Sequence, residues 1–132
     1  MRHHFFSLQR KTTLKKILIV DDDKDLLFNL TAILSKKMYK ILAINDGAAA
    51  LDTASRFHPD VILLDVNLED DIDGKDVCNE LKKNSITSQI PIMMMSAQIT
   101  KAEIKKTCHP DDFIEKPFKP NILFTKIEAL IA

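Results

Sequence analysis

Short apolar runs alternate with amphipathic stretches along nearly the whole chain. Ile17-Leu18-Ile19-Val20, Ile41-Leu42-Ala43-Ile44, Val61-Ile62-Leu63-Leu64, Ile92-Met93-Met94-Met95 and the shorter Phe113-Ile114 have the length and residue types of strands. The first, third and fourth are apolar at every position, as in strands covered on both faces. Residues 25–36, 48–56, 75–83, 101–107 and 121–131 instead repeat their apolar positions every three to four residues, the spacing of helices buried along one side. Strand and helix alternate five times, which predicts an α/β fold of (βα)5 type: a doubly wound parallel sheet with right-handed crossovers and helices on both faces.

Local punctuation agrees with that division. Asn45-Asp46-Gly47 closes the second strand and opens a helix, His58-Pro59-Asp60 breaks the chain before the third strand, and Pro120-Asn121 precedes the last helix. Residues 1–14 stand outside the pattern. With Arg2, Arg10, Lys11 and Phe5-Phe6 in no regular period, they are expected to form a flexible tail, a docking arm being the alternative, and the folded domain is expected over 15–132.

At 132 residues, 45% apolar and 29% charged, the chain has the makeup of one domain, able to bury roughly two-thirds of its unfolded surface without a disulfide or structural metal. Its 19 basic and 19 acidic side chains balance, so the basic excess needed to grip a duplex is missing and no direct nucleic-acid contact is expected. Cys78 and Cys108 lie thirty positions apart in no C-x-x-C arrangement; neither a disulfide framework nor a zinc site is indicated, and reduced thiols in a cytoplasmic protein are expected. The longest apolar runs are too short to cross a bilayer, and residues 1–13 hold no secretory h-region, so no membrane attachment is expected.

Ligands of an open parallel sheet gather beyond the carboxyl ends of its strands. Asp21, Asp22 and Asp23 follow the first strand, Asp65 the third, Ser96 the fourth and Lys116 the fifth, while the second delivers only Asn45. Carboxylates crowded together repel one another unless a cation joins them, and a divalent metal is the natural remedy. Mg2+ suits an oxygen-only set better than zinc or iron, since no histidine or thiolate follows these strands. Lys116 adds a second positive charge and Ser96 a donor around a place where a phosphoryl group could lie, and Asp65 has the chemistry to accept that group as nucleophile. Taken singly, each has a plainer reading: Asp23 or Asp25 as a helix cap, Ser96 as a turn residue, Lys116 as a loop charge. Their joint occurrence at four strand ends is what favours chemistry.

In these residues the chain resembles the receiver domains of two-component response regulators, the CheY-like superfamily. The resemblance is carried by Ile17-Leu18-Ile19-Val20-Asp21-Asp22-Asp23, by Val61-Ile62-Leu63-Leu64-Asp65 with Asp73-Gly74 after it, by Pro91-Ile92-Met93-Met94-Met95-Ser96-Ala97, and by Phe113-Ile114-Glu115-Lys116-Pro117-Phe118. It spans about 15–131. It implies a flavodoxin-like sheet of strand order 2-1-3-4-5. It further implies that Asp65 is the phosphoacceptor, supplied by a sensor histidine kinase or histidine phosphotransfer protein. Asp21, Asp22, Asp65 and the main-chain carbonyl of Asn67 would hold Mg2+, with Mn2+ as a substitute. Lys116 would pair with the phosphoryl oxygens next to a cis bond to Pro117, and Ser96 would move to the acyl phosphate beside small Ala97. Phe113 matches the aromatic that turns inward in active receivers, with plain core packing as the alternative; Asn67 and Gln98 hold the positions that tune dephosphorylation.

Some positions depart from the usual pattern. Gly74 lies nine places after Asp65, one more than is common, which makes Glu69-Asp70-Asp71 part of a longer acidic loop, and Cys108-His109-Pro110 replaces small residues before the fifth strand. Two rival readings compete. Asp21-x-Asp23 with Ser96 and Lys116 sketches a haloacid-dehalogenase-type phosphatase with Asp21 as nucleophile, but Asp25 stands where those enzymes carry threonine or valine and no acidic motif follows Lys116. A docking module that is never phosphorylated is disfavoured by the complete acidic set. The expectation is therefore a phosphorylation-controlled switch, not an enzyme with a free substrate, capable only of limited self-phosphorylation and self-dephosphorylation. With no output domain fitting after Ile131, a single-domain regulator or relay intermediate is expected, acting on a downstream effector protein. A homodimer through the fourth helix, fifth strand and last helix is plausible on the same reading.

Overall fold

The computed structural model describes residues 13–68, 73–97 and 108–132. Within them β1 (Lys16–Val20), α1 (Lys24–Lys36), β2 (Lys40–Ile44), α2 (Ala50–Phe57), β3 (Val61–Asp65), α3 (Gly74–Lys83), β4 (Ile92–Ser96), β5 (Asp112–Glu115) and α4 (Pro120–Ile131) follow one another. The five strands form one parallel sheet in the order β2-β1-β3-β4-β5, as expected. The helix expected over 101–107 lies outside the described residues.

Alternation along the strands explains the two-sided core. Leu18, Val20, Ile62, Leu64, Ile92 and Met94 project to the face covered by Ala50 and Ala54 of α2 and Val77 and Leu81 of α3. Their neighbours Ile17, Ile19, Val61, Leu63, Met93 and Met95 project to the other, against Leu30 and Leu34 of α1 and Leu123 and Ile127 of α4. β1, β3 and β4 occupy the middle of the sheet, which is why their sequences carry no polar alternation; the margins β2 and β5 are only partly covered. Each fully buried aliphatic side chain here contributes about 1.5–3 kcal/mol relative to exposure.

Aspartates set the helix starts. Asp23 caps α1 by accepting from the N–H groups of Asp25 and Leu26 at 3.0 and 3.1 Å, and Asp73 caps α3 through Lys75 N–H at 2.9 Å. Asp46 caps only a single 3-10 turn, Gly47–Ala49, so the helix expected over 48–56 begins as that turn and becomes α-helical at Ala50. Pro120 is itself the first residue of α4, where its missing N–H costs nothing. Met38 (φ 67°) and His58 (φ 53°) turn the chain through the left-handed region just beyond α1 and α2, a position glycine usually takes.

One expectation is corrected. The cysteines are not free thiols: Cys78 on α3 and Cys108 before β5 are joined as a disulfide, with a Cα–Cα separation of 6.2 Å. Both side chains are buried in the core beneath α3, because α3 covers the same face of the sheet from which the chain descends into β5. That separation lies inside the bridgeable range. No helix of the described residues is long and apolar enough to cross a membrane.

Candidate functional site

Parallel strands point all their carboxyl ends to one edge. β1 pairs with β3 so that Val20 sits level with Leu64, which places Asp21, just past β1, beside Asp65, the last residue of β3. β4 ends one step further on at Ser96, level with Glu115 of β5, and Lys116 comes next in the chain. The main-chain N–H of Lys116 donates to the Ser96 carbonyl at 2.8 Å, holding these two strand ends together.

The side chains converge. Asp21 is fully buried; its Oδ1 accepts from Asp23 N–H at 2.9 Å and its Oδ2 from Lys116 Nζ at 2.8 Å. Asp65 is 5% exposed, and its Oδ1 accepts from both Lys116 Nζ, at 3.2 Å, and Asn67 N–H, at 3.3 Å. Both of these donors thus anchor the same oxygen of the carboxylate. Asp22 completes the group: Asp21, Asp22 and Asp65 each offer an oxygen within 4.8 Å of the others. The third acid of the run, Asp23, is turned away to cap α1, so the open question of which aspartate caps is answered by the helix start.

Charge and burial are in tension here. Burial, and then the Asp21 carboxylate, push Asp65 up to about 6, against the pull of Lys116 and the Asn67 N–H. For Lys116, burial favours the neutral amine, but the hydrogen bond to Asp21 and the charges of Asp21 and Asp65 outweigh it and hold the ammonium above the usual lysine value. Among the described residues, the one Lys116 ammonium is shared by Asp21 and Asp65. A hard-oxygen set with no imidazole or thiolate fits a divalent cation of the Mg2+ class.

Other expected residues fall around this centre. Ser96 is buried at the β4 end and Ala97 beside it is exposed. Phe113 is half-buried on β5, level with Met94 and packed on the core that includes Cys108, so core packing accounts for it in this state. The Lys116–Pro117 peptide is cis. Gln98 and the acidic run Glu69-Asp70-Asp71 lie outside the described residues.

A contribution not read from the sequence is that of Gly74. Its N–H donates to the Val66 carbonyl at 3.0 Å, and a Cβ there would stand 2.0 Å from the Asp65 carbonyl oxygen. The first turn of α3 is thus seated directly on the backbone that carries Asp65. The available signal was scarcity: the chain has only two glycines, and one of them follows the Asp65 loop.

The model of the response regulator receiver domain family matches residues 17–128. The chain belongs to that family. It is 34% identical over 120 residues to the DNA-binding response regulator MtrA of Mycolicibacterium smegmatis, covering 89% of this chain and 51% of that protein. The receiver thus spans about half the length of the curated relatives it matches. Among solved structures, Vibrio cholerae CheY4 is similar at a TM-score of 0.82 and 25% identity, covering 89% of this chain and 99% of that one. The receiver domain of the sensor histidine kinase PA1611 from Pseudomonas aeruginosa is similar at 0.81 and 25%, covering 90% and 98%, and is described with a magnesium ion coordinated in its active-site cleft. Receivers of this family are phosphoryl-accepting switches of two-component signalling, and this one is a signalling domain rather than a classical enzyme. The phosphatase alternative is further weakened by geometry: Asp23, its would-be acid, caps α1.

Proposed function

We propose that Asp65 accepts a phosphoryl group from the phosphohistidine of a sensor histidine kinase or histidine phosphotransfer protein, and that the resulting aspartyl phosphate governs binding to a downstream effector. The observation carrying this is the setting of the Asp65 carboxylate: it is gathered with Asp21 and Asp22 at one strand edge, with its Oδ1 anchored by Lys116 and Asn67 N–H. Oδ2 attacks phosphorus, the P–N bond to the donor imidazole breaks, and its electron pair stays on the imidazole nitrogen, which then takes a proton. The Lys116 ammonium, already between Asp21 and Asp65, draws to itself the negative charge gathering on the phosphoryl oxygens. Asp21, Asp22, Asp65 and the Asn67 main-chain carbonyl would hold Mg2+, whose charge would offset the carboxylates and the arriving phosphate.

The switch follows from the same parts. The doubly charged group attracts the Ser96 hydroxyl, and the space Ser96 leaves admits the Phe113 ring, reshaping the surface where β5 meets α4. Phe113, Phe118, Ile122 and Lys126 line a groove of about 550 Å³ there, suited to an effector protein or a second copy of the domain. Slow self-dephosphorylation belongs to the same site, with Asn67 and Gln98 tuning it. The receiver domain is taken as 15–132, with 1–14 a tail, and is placed in the cytoplasm. Its partners are proteins rather than DNA, in keeping with the charge balance.

The test is phosphorylation of the full chain by acetyl phosphate with Mg2+, followed by reductive trapping of the acyl phosphate and mass analysis. One added phosphoryl group, mapped to Asp65 and absent from Asp65→Asn, is expected. Labelling at Asp21, or labelling that survives Asp65→Asn, overturns the assignment; no labelling of the intact domain favours docking alone.

A further inference from the structure

We propose that the Cys78–Cys108 bond is a redox-set brake on the switch, tying α3 to the lead-in of β5 when oxidised and freeing it when reduced. This rests on the reading of Asp65 as phosphoryl acceptor.

The bond joins the helix that adjoins the phosphoacceptor strand to the lead-in of the strand that carries Phe113. Cys78 lies on α3, the helix whose first residue, Gly74, is seated on the Asp65 carbonyl. Cys108 lies shortly before β5, which carries Phe113, and the Phe113 ring packs on the same core cluster as both sulfurs. The stretch of chain between the two cysteines includes β4 and Ser96. Phosphoacceptor loop, Ser96 and Phe113 are therefore enclosed in or adjoin one covalent ring.

A second contact runs parallel to the first. Asp111, between Cys108 and β5, accepts from Lys82 Nζ of α3 at 2.7 Å and from Ile92 N–H at 2.8 Å through the same Oδ2, while its own N–H donates to the Ile92 carbonyl at 2.8 Å. Besides core packing, the Lys82–Asp111 ion pair, partly exposed and so weak, ties α3 to this lead-in when the disulfide is absent. With it, the lead-in cannot separate from α3 by more than the reach of a disulfide. Reduction therefore converts a clamp into a contact that can open.

The chemistry needs a dithiol reductant. One of its thiolates attacks a bridge sulfur to form a mixed disulfide, and its second thiolate displaces the protein sulfur; two electrons and two protons pass to Cys78 and Cys108, and the dithiol leaves as its own disulfide. His109 is exposed, so Cys108 lies one residue beneath the surface, and attack proceeds through local opening there.

The full chain is compared after treatment with oxidised or reduced dithiothreitol, with thiols counted in denaturant, phosphoryl uptake from acetyl phosphate read by mass, and amide exchange followed across β5. Both forms are expected to take up one phosphoryl group, while the phosphorylation-dependent change in exchange at 112–115 is several-fold larger in the reduced form. Reduction should also lower the melting temperature by on the order of 10 °C. Cys78→Ser/Cys108→Ser should behave as the reduced form; the wild-type comparison needs no variant. Equal exchange changes in both redox forms overturn the brake and leave Asp65 untouched. Two free thiols after oxidising treatment overturn it as well, whereas absence of phosphoryl uptake in both forms overturns the Asp65 reading and the brake together.

Discussion

Replacing Asp65 by Asn should stabilise the metal-free protein, although it removes the proposed phosphoryl acceptor. Asp65 is 5% exposed, and burial followed by the Asp21 charge raises it from an ordinary 3.8 to about 6. A carboxyl raised in the folded state contributes stability that is fully present below its unfolded value and is lost as pH rises through the folded one. The window is thus pH 3.8 to about 6, and above it the charged Asp65 costs up to about 3 kcal/mol, taking about 1.36 kcal/mol per pH unit. Asn carries no charge, keeps a carbonyl oxygen for Lys116 and Asn67 N–H, and leaves the 2.8 Å Lys116–Asp21 pair in place. Urea unfolding in the presence of a chelator should therefore show Asp65→Asn more stable by about 1–3 kcal/mol at pH 7.5 and no more stable below pH 4. Added Mg2+ should then narrow or reverse the gap, because only the native acidic set gains from binding it. An Asn variant no more stable at pH 7.5, or a gain that is the same at every pH, would refute the view of Asp65 as a buried charge held at a cost.

Three further substitutions test the scaffold. Gly74→Ala would put a methyl group 2.0 Å from the Asp65 carbonyl, so it should cost about 3 kcal/mol in a denaturant melt and slow phosphoryl uptake by displacing Asp65. Met38→Gly should raise stability by about 0.5–1 kcal/mol, since the side chain is exposed and φ is 67°, and a fall in the melting temperature would contradict this. Asp23→Ala should cost about 1 kcal/mol by thermal melting through loss of the α1 cap; it should spare phosphoryl uptake, because Asp21 is held by the main-chain N–H of residue 23.

The pattern of apolar positions was a good guide to the fold because burial on two faces leaves a mark that depends on the strand alone: β1, β3 and β4 read as unbroken apolar runs. The convergence of Asp21, Asp65 and Lys116 was legible for a related reason, since a parallel sheet brings every residue after a strand to the same edge. Asp23 was ambiguous because capping and metal binding call for the same side chain, and only the start of α1 distinguishes them. The Cys78–Cys108 bond and the seat of Gly74 on Asp65 depend on how α3 lies across the sheet, a distance that no spacing along the chain encodes. Met38 and His58 were hidden because their left-handed turns are imposed by the path each helix must take into the next strand, without a glycine to mark the place.

Among the described residues the order of strands leaves β2 and β5 with one unpaired side each, and charges stand at their ends: Lys40 opens β2, while Asp112 and Glu115 bracket β5. An outer strand of four or five residues carrying ionic groups at its ends, or at one end, is a poor template for a neighbouring molecule's backbone. Association between copies, or with a partner, is thereby steered away from sheet extension and toward side-chain surfaces, which the proposed movement of Phe113 would remodel, whereas a continuous ladder of main-chain hydrogen bonds could not readily be released.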